Sequence, residues 1–256
     1  MRKTSLLAGA ALLLGAYTAT AAEDYTCATP PTCAELGYTD AASACPNNAV
    51  KCPFDTTKVK CIPETPQVGH ILYSDGTTSS TYNLSKTAVG VVIDTERRYA
   101  ISLDQVSKRF GPGNNVHDMP LMASSLWSAE ISAINPDGRL NTNVLTTLYN
   151  NTQNYDAANY CNAYSKSGFY AGEWWLPSPY EITRIALANN FNTINTGLGK
   201  VSGATKLSTG SDGYYWSSSI GESADKGTTA SFSSPWVRPD LYTQTTLRPI
   251  RCFVSF

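Results

Sequence analysis

The chain of 256 residues balances 19 Lys and Arg against 20 Asp and Glu, a formal net charge of −1, and only 15% of its residues are charged. Such a balance excludes electrostatic capture of nucleic acid or of an anionic membrane surface as the basis of function. With two histidines and no dense acidic loop, no metal and no cofactor is expected.

The first residues read as an export signal. Arg2 and Lys3 precede an apolar run from Leu6 to about Ala16, and small residues close the segment at Ala19 to Ala22. The run is too short to span a bilayer, so no stable membrane span is expected once residues 1–22 are removed. The mature chain would begin at Glu23 in an extracellular, cell-surface or periplasmic setting. Asn, Ser, Thr, Gly and Tyr dominate it, with 15 tyrosines, a composition suited to hydrogen-bonding and aromatic contacts.

All seven cysteines lie beyond that segment. Cys27, Cys33, Cys45, Cys52 and Cys61 are clustered, whereas Cys161 and Cys252 stand apart. In an oxidising compartment the spread suggests two bridges within the first group, in a pairing left open, and one long-range Cys161–Cys252 link. One thiol is left over. There is no Cys-x-x-Cys and no histidine near the cluster, so zinc is not supported. Residues 23–66 read as a small disulfide-stabilised module and linker, with a helical turn within Ala34 to Ala44 and a hairpin from Cys52 to Cys61 clamped at its ends. The proline-bearing stretch from Ile62 to Gln67 marks a boundary, and residues 67–256 form a second domain.

Within that domain Val68 to Tyr73 reads as a strand before an Asp75-Gly76 turn. Ala88 to Asp94 and Tyr99 to Leu103 read as a hairpin. The glycines of Phe110 to Asn115 lack the strand-before, helix-after context of a nucleotide fingerprint. His117 and Asp118 follow, without a nucleophile signature to complete a triad. A short helix is expected from Asn143 to Tyr149, capped near Asn141 or Thr142. A clearer one, capped by Asp156, carries Ala157, Tyr160, Cys161 and Tyr164 at helical spacing. Then comes GFYAGEWWLPSPYE, Gly168 to Glu181, in which Ser178, Pro179 and Glu181 spell an N-cap, a first-turn proline and a capping box. The helix so opened carries Ile182 and Ile185, and Phe191, Ile194 and Leu198 suggest another. Asp212 to Ile220 reads as a turn and an aromatic strand, Lys226 to Phe232 as a strand, Ser233 to Gln244 as a proline-broken loop, and Leu247 to Phe256 as a closing strand.

The succession of a helix bearing Tyr160-Cys161, GEWWLPSPYEI, YYWSSS and LRPIRCF resembles the bacterial DUF1566 family, in the wider C-type-lectin-like superfamily, over about residues 68–256. The resemblance implies an α+β, C-type-lectin-like fold, in which two main helices pack on small twisted antiparallel sheets and the terminal strands are adjacent. By the same resemblance Trp174, Trp175, Leu176 and Trp216 are framework, with Trp175 standing where the family usually has arginine, and Arg251-Cys252 lies in the terminal strand. The calcium-dependent sugar motifs of that superfamily, Glu-Pro-Asn or Gln-Pro-Asp with Trp-Asn-Asp, are missing.

If the fold holds, variable chemistry belongs on the late loops. Tyr214, Tyr215, Trp236, Arg238, Asp240 and Tyr242 are therefore the candidate ligand-binding residues, aromatic rings for apolar faces and Arg and Asp for polar groups. Trp236 has an alternative reading as the core anchor of an irregular loop. The leading expectation is a secreted or surface-bound, non-catalytic module that recognises a glycan or a surface protein. A structural or adhesive component of a surface assembly is the alternative. A hydrolase is a third reading, and only residue type favours Glu173, Asp212 or His117 for it. Oligomeric state is left open.

Overall fold

The computed structural model describes residues 32–37, 40–41, 49–55, 57–61, 64–113, 137–147, 154–221, 223 and 225–256. The expected signal segment, Cys27, Cys45, His117 and Asp118 lie outside the described residues, as do the side chains of Cys61 and Asp240. The chain divides into two compact units, Met1–Cys61 and Ile62–Phe256.

In the first unit, β1 (Asp40–Ala41), β2 (Ala49–Lys51) and β3 (Lys58–Cys61) form an antiparallel sheet in the order β1-β3-β2. The β2–β3 turn is built by Asp55, whose carboxylate accepts from the Thr57 backbone N–H at 2.9 Å and from its hydroxyl at 2.6 Å. Cys52 is bridged to Cys33, 19 residues back, so the expected clamp at the two ends of Cys52–Cys61 is corrected. Backbone pairing closes that hairpin instead, with Ala49 opposite Cys61 and Lys51 opposite Val59. Of the stretch Ala34 to Ala44, where a short helical turn is expected, the described residues hold a turn over Cys33 to Gly37, in which the Leu36 N–H donates to the Thr32 carbonyl at 3.1 Å.

The second unit is built on a six-stranded antiparallel sheet that contains β4 (Ile71–Tyr73), β5 (Thr78–Ser79), β6 (Ala88–Asp94), β7 (Tyr99–Ser102), β9 (Trp174–Trp175) and β14 (Phe253–Ser255), in the order β5-β4-β6-β7-β14-β9. Val89 to Ile93 are all buried, because the sheet is covered on both faces and adjacent residues enter different cores. Ile71, Ile101, Trp175 and Phe253 belong to one core; Leu72, Ala100, Trp174 and Val254 belong to the other. The paired tryptophans are thus an edge strand with one indole on each side of the sheet. This is a packing role for Trp174, Trp175 and the buried Leu176 beside them.

Helices are described at the four segments where spacing and caps suggest them, two more than the main pair the resemblance implies: α1 (Gly138–Thr147), α2 (Asp156–Ala163), α3 (Pro179–Leu187) and α4 (Phe191–Lys200). At α3 the Ser178 hydroxyl accepts from the Glu181 N–H at 3.1 Å, and the Glu181 carboxylate accepts from the Ser178 N–H at 2.8 Å. α1 begins earlier than its apolar spacing suggests, with the Asp137 carboxylate accepting from the Leu140 N–H at 2.9 Å. Gly138 is required there, since a Cβ would meet the Glu181 carboxylate and the Leu176 carbonyl. Asp156 is the first residue of α2 rather than its cap, which falls on Tyr155.

Two late segments also differ from expectation. The stretch read as a loop from Ser233 holds β12 (Val237–Thr243), which joins β10 (Tyr214–Ile220) and β11 (Lys226–Ser231) in a three-stranded sheet of order β10-β11-β12. β12 is an edge, where Pro239 is tolerated, and its pairing shifts between Arg238 opposite Thr229 and Tyr242 opposite Gly227. The closing segment is two strands, not one. β13 (Arg248–Ile250) pairs with β8 (Val106–Lys108), whereas β14 lies in the large sheet. The chain breaks at Arg251-Cys252. The buried Arg251 guanidinium donates to the carbonyls of Ser102 at 2.7 Å, Leu103 at 2.9 Å and Asp104 at 3.2 Å, and also to that of Thr205. Cys252 is bonded to Cys161 of α2, with a Cα–Cα distance of 5.3 Å. Burial pushes the Arg251 pKa down to about 10, which leaves it a cation at neutral pH.

Candidate functional site

The residues singled out by sequence lie on the β10–β12 sheet and its margin, but they do not form one surface. Tyr215 is a correction. It is fully buried, its hydroxyl donates to Gln105 Oε1 at 3.0 Å and accepts from the Ser208 N–H at 2.9 Å, and its ring meets Phe232 edge-on at 4.9 Å. Strand alternation explains this: Tyr215 pairs across the sheet with Ala230, itself opposite Val237, and all three point into one core. Trp216 faces the other core, its indole N–H donating to the Lys108 carbonyl at 3.0 Å.

The remaining candidates form two small groups. In the first, the Arg248 guanidinium lies 4.3 Å from the Tyr242 ring centre and donates to the Tyr214 carbonyl from Nε at 3.2 Å and Nη2 at 3.0 Å, as well as to Ser211. Tyr242 also meets Trp216 edge-on at 6.4 Å. Arg248 was not anticipated, although its position in β13 opposite Lys108 is what sets it beside Tyr214. In the second group, exposed Arg238 stands 5.9 Å from the half-buried Trp236 ring. The Tyr242 and Trp236 rings each have one face already paired with an intramolecular cation. Asp240 is in β12, with its side chain outside the described residues.

The acid–base and metal readings gain nothing from the geometry of the described residues. Glu173 accepts from the Tyr170 N–H at 2.6 Å in a surface turn, and Asp212 is exposed in a single helical turn. Among the described residues no group of three or more His, Cys, Asp or Glu is placed to hold a metal. His70 is buried 3.7 Å from Glu64, and burial lowers its pKa.

Among the described residues the most perturbed carboxyl is Glu181. It borders a 180 Å³ pocket beneath the Asp94–Arg97 turn, where Arg184 reaches both Asp94 and Glu96 at 3.5 Å. Burial raises its pKa from 4.5 to about 7, against the opposing pull of the Ser178 N–H and the Trp175 indole N–H, and with Asp137 adding repulsion. A folded-state pKa above the unfolded one means that the folded protein holds the extra proton. The associated stability is fully present below pH 4.5 and is lost as pH rises through about 7, on the order of 3 kcal/mol in all. Urea midpoints measured from pH 4.5 to 8 should therefore fall across that window in the native chain. Glu181→Gln should flatten this dependence, and an unchanged slope in that variant would assign it to another group.

No protein-family model matches the chain, and no curated protein matches it significantly. Among solved structures, the crystal structure of a fimbrial protein from Bacteroides ovatus is similar, with a TM-score of 0.54 and 17% sequence identity. The match covers 79% of this chain and 51% of that one, so the chain spans about half the length of that protein. The likeness is one of fold. It joins the mixed helices and antiparallel sheets described above to an architecture found in a fimbrial protein.

Proposed function

We propose that this chain is a structural or adhesive component of a bacterial surface assembly, exported through a signal peptide at residues 1–22, with a C-type-lectin-like main domain of the DUF1566 kind. The observation that carries this reading is the fold shared with a fimbrial protein over 79% of the chain. Two further features support it. The Cys33–Cys52 and Cys161–Cys252 bridges suit a compartment where disulfides persist. No helix among the described residues is long and apolar enough to cross a membrane. Tyr242 and Trp236 each already carry an arginine on one ring face, so display by a rigid body suits this margin better than capture on an open aromatic platform.

Antibody raised against the purified protein tests the assignment on intact cells. The chain should be released by mechanical shear together with high-mass material, and added protease should digest it without cell lysis. Recovery solely as a free periplasmic monomer, protected from protease, would overturn it.

A further inference from the structure

A second region of the main unit has the features of a ligand site. A cleft of 430 Å³ opens between the loop joining β5 to β6, the end of β7, Lys166 and the turn after α4. Its size lies within the range of small-ligand pockets. Buried Leu103 and Val201 and the partly exposed ring of Tyr82 give it apolar surface, while Lys86, Lys166 and Asp104 supply charge.

The walls are fixed before any ligand arrives. The Tyr73 hydroxyl donates to the Thr81 carbonyl at 2.9 Å and accepts from the Asn83 N–H at 2.7 Å, and Lys200 donates to the Ser80 carbonyl at 2.8 Å. On the opposite side, the Thr205 N–H donates to the Leu103 carbonyl at 3.0 Å, and Arg251 clamps Leu103, Asp104 and Thr205 together from below. A site built on such pins loses little freedom on binding.

The free hydrogen-bonding capacity specifies the ligand. Asp104 Oδ2 accepts from the Tyr164 hydroxyl at 2.6 Å and from Lys166 at 2.9 Å, and among the described residues Oδ1 has no hydrogen-bond donor. These bonds outweigh burial and hold the Asp104 pKa below its usual value, so it is ionised. Lys86 spends two donors, on Asp75 at 2.8 Å and Thr77 at 2.9 Å, which leaves one of three; Lys166 spends one on Asp104. Lys86, Lys166 and Arg251 against Asp75 and Asp104 leave one net positive charge around the cleft, with Asp104 facing both Lys166 and Arg251. The cleft therefore favours one negative charge while also presenting a carboxylate oxygen that needs a donor. A sulfate carries acceptors only and would meet that oxygen unfavourably. A sugar acid offers both a carboxylate and hydroxyl donors on a ring with apolar C–H faces.

We propose that this cleft binds a carboxylated sugar unit, a uronic or sialic acid residue of an acidic glycan, with its carboxylate on Lys86 and Lys166, a hydroxyl on Asp104 and its ring against Tyr82. The site stands apart from the β10–β12 margin and does not depend on the chain joining a surface assembly.

The test uses the purified, oxidised full chain, titrated by NMR with glucuronic acid and N-acetylneuraminic acid, with glucose, sulfate and an acidic tetrapeptide as comparisons. At least one sugar acid should bind about tenfold or more tightly than glucose, and the affinity should fall as salt is raised. Lys86→Gln and Lys166→Gln, each with an unchanged melting temperature, should weaken it about fivefold or more, and Tyr82→Ala should do so without altering the salt dependence. Equal binding of glucose, or equal competition by sulfate or the tetrapeptide, would overturn the proposal. So would undiminished affinity in both folded lysine variants.

Discussion

Replacing Cys161 and Cys252 together by alanine is expected to lower the stability of the Ile62–Phe256 unit by about 4 kcal/mol. The bond closes a separation of 91 residues, and in the chain-entropy account the loss of that constraint frees the unfolded ensemble far more than the folded one. For a unit of this size each kcal/mol shifts the midpoint by about 2–4 °C, so calorimetry should show a fall of roughly 8–16 °C. Both sulfur-bearing residues are fully buried, which adds a small packing loss of the same sign. Removing Cys33 and Cys52 provides the contrast, because that bond spans 19 residues and belongs to the other unit. Its loss should leave the main transition where it was. An unshifted transition in the Cys161/Cys252 double variant would mean that α2 and the closing strands are held by packing alone.

Arg251→Met should cost about 3 kcal/mol in urea unfolding, chiefly by leaving buried carbonyls without donors. Four carbonyls accept from the guanidinium, but two of them have other partners. Leu103 also receives the Thr205 N–H, and Asp104 also receives the Ser102 hydroxyl at 3.0 Å. The loss therefore centres on Ser102 and Thr205, which lie on opposite sides of the planar group. Arg251→Lys should recover little of the stability, since one ammonium cannot span both. Hydrogen exchange gives an independent reading: the Thr205 amide should lose protection in both variants. A methionine variant as stable as the native chain would show that burial of the cation offsets everything its hydrogen bonds contribute.

Legibility from sequence followed the range of the forces involved. Ala88 to Asp94 reads as a strand because its apolar run is local, and Ser178 to Glu181 reads as a helix start because the capping box lies within four residues. The apolar spacing starts α1 at Asn143, later than the structure does, since Gly138 begins it by close approach to the Glu181 carboxylate, a contact between distant segments. β12 reads as a loop because Pro239 argues against a strand unless that strand is an edge. Tyr214 and Tyr215 are indistinguishable by type, and only the pairing of Tyr215 with Ala230 shows which one faces inward. The cleft is further from view. Tyr82, Lys86, Asp104 and Lys166 carry no common spacing and meet only through Arg251 and the pinned loops around them.

The position of β14 between β7 and β9 has a bearing on how the chain reaches its final state. Synthesis presents residues in order, so both neighbours of β14 emerge before it does. Until Phe253 to Ser255 arrive, β7 and β9 each keep an unpaired edge, the two cores are open along that seam, and Cys161 has no Cys252 to meet. The large sheet is thus closed by a late, non-local step instead of growing strand by strand. Such an order leaves the main unit open until Phe253 to Ser255 are in place and commits it to a locked form only then.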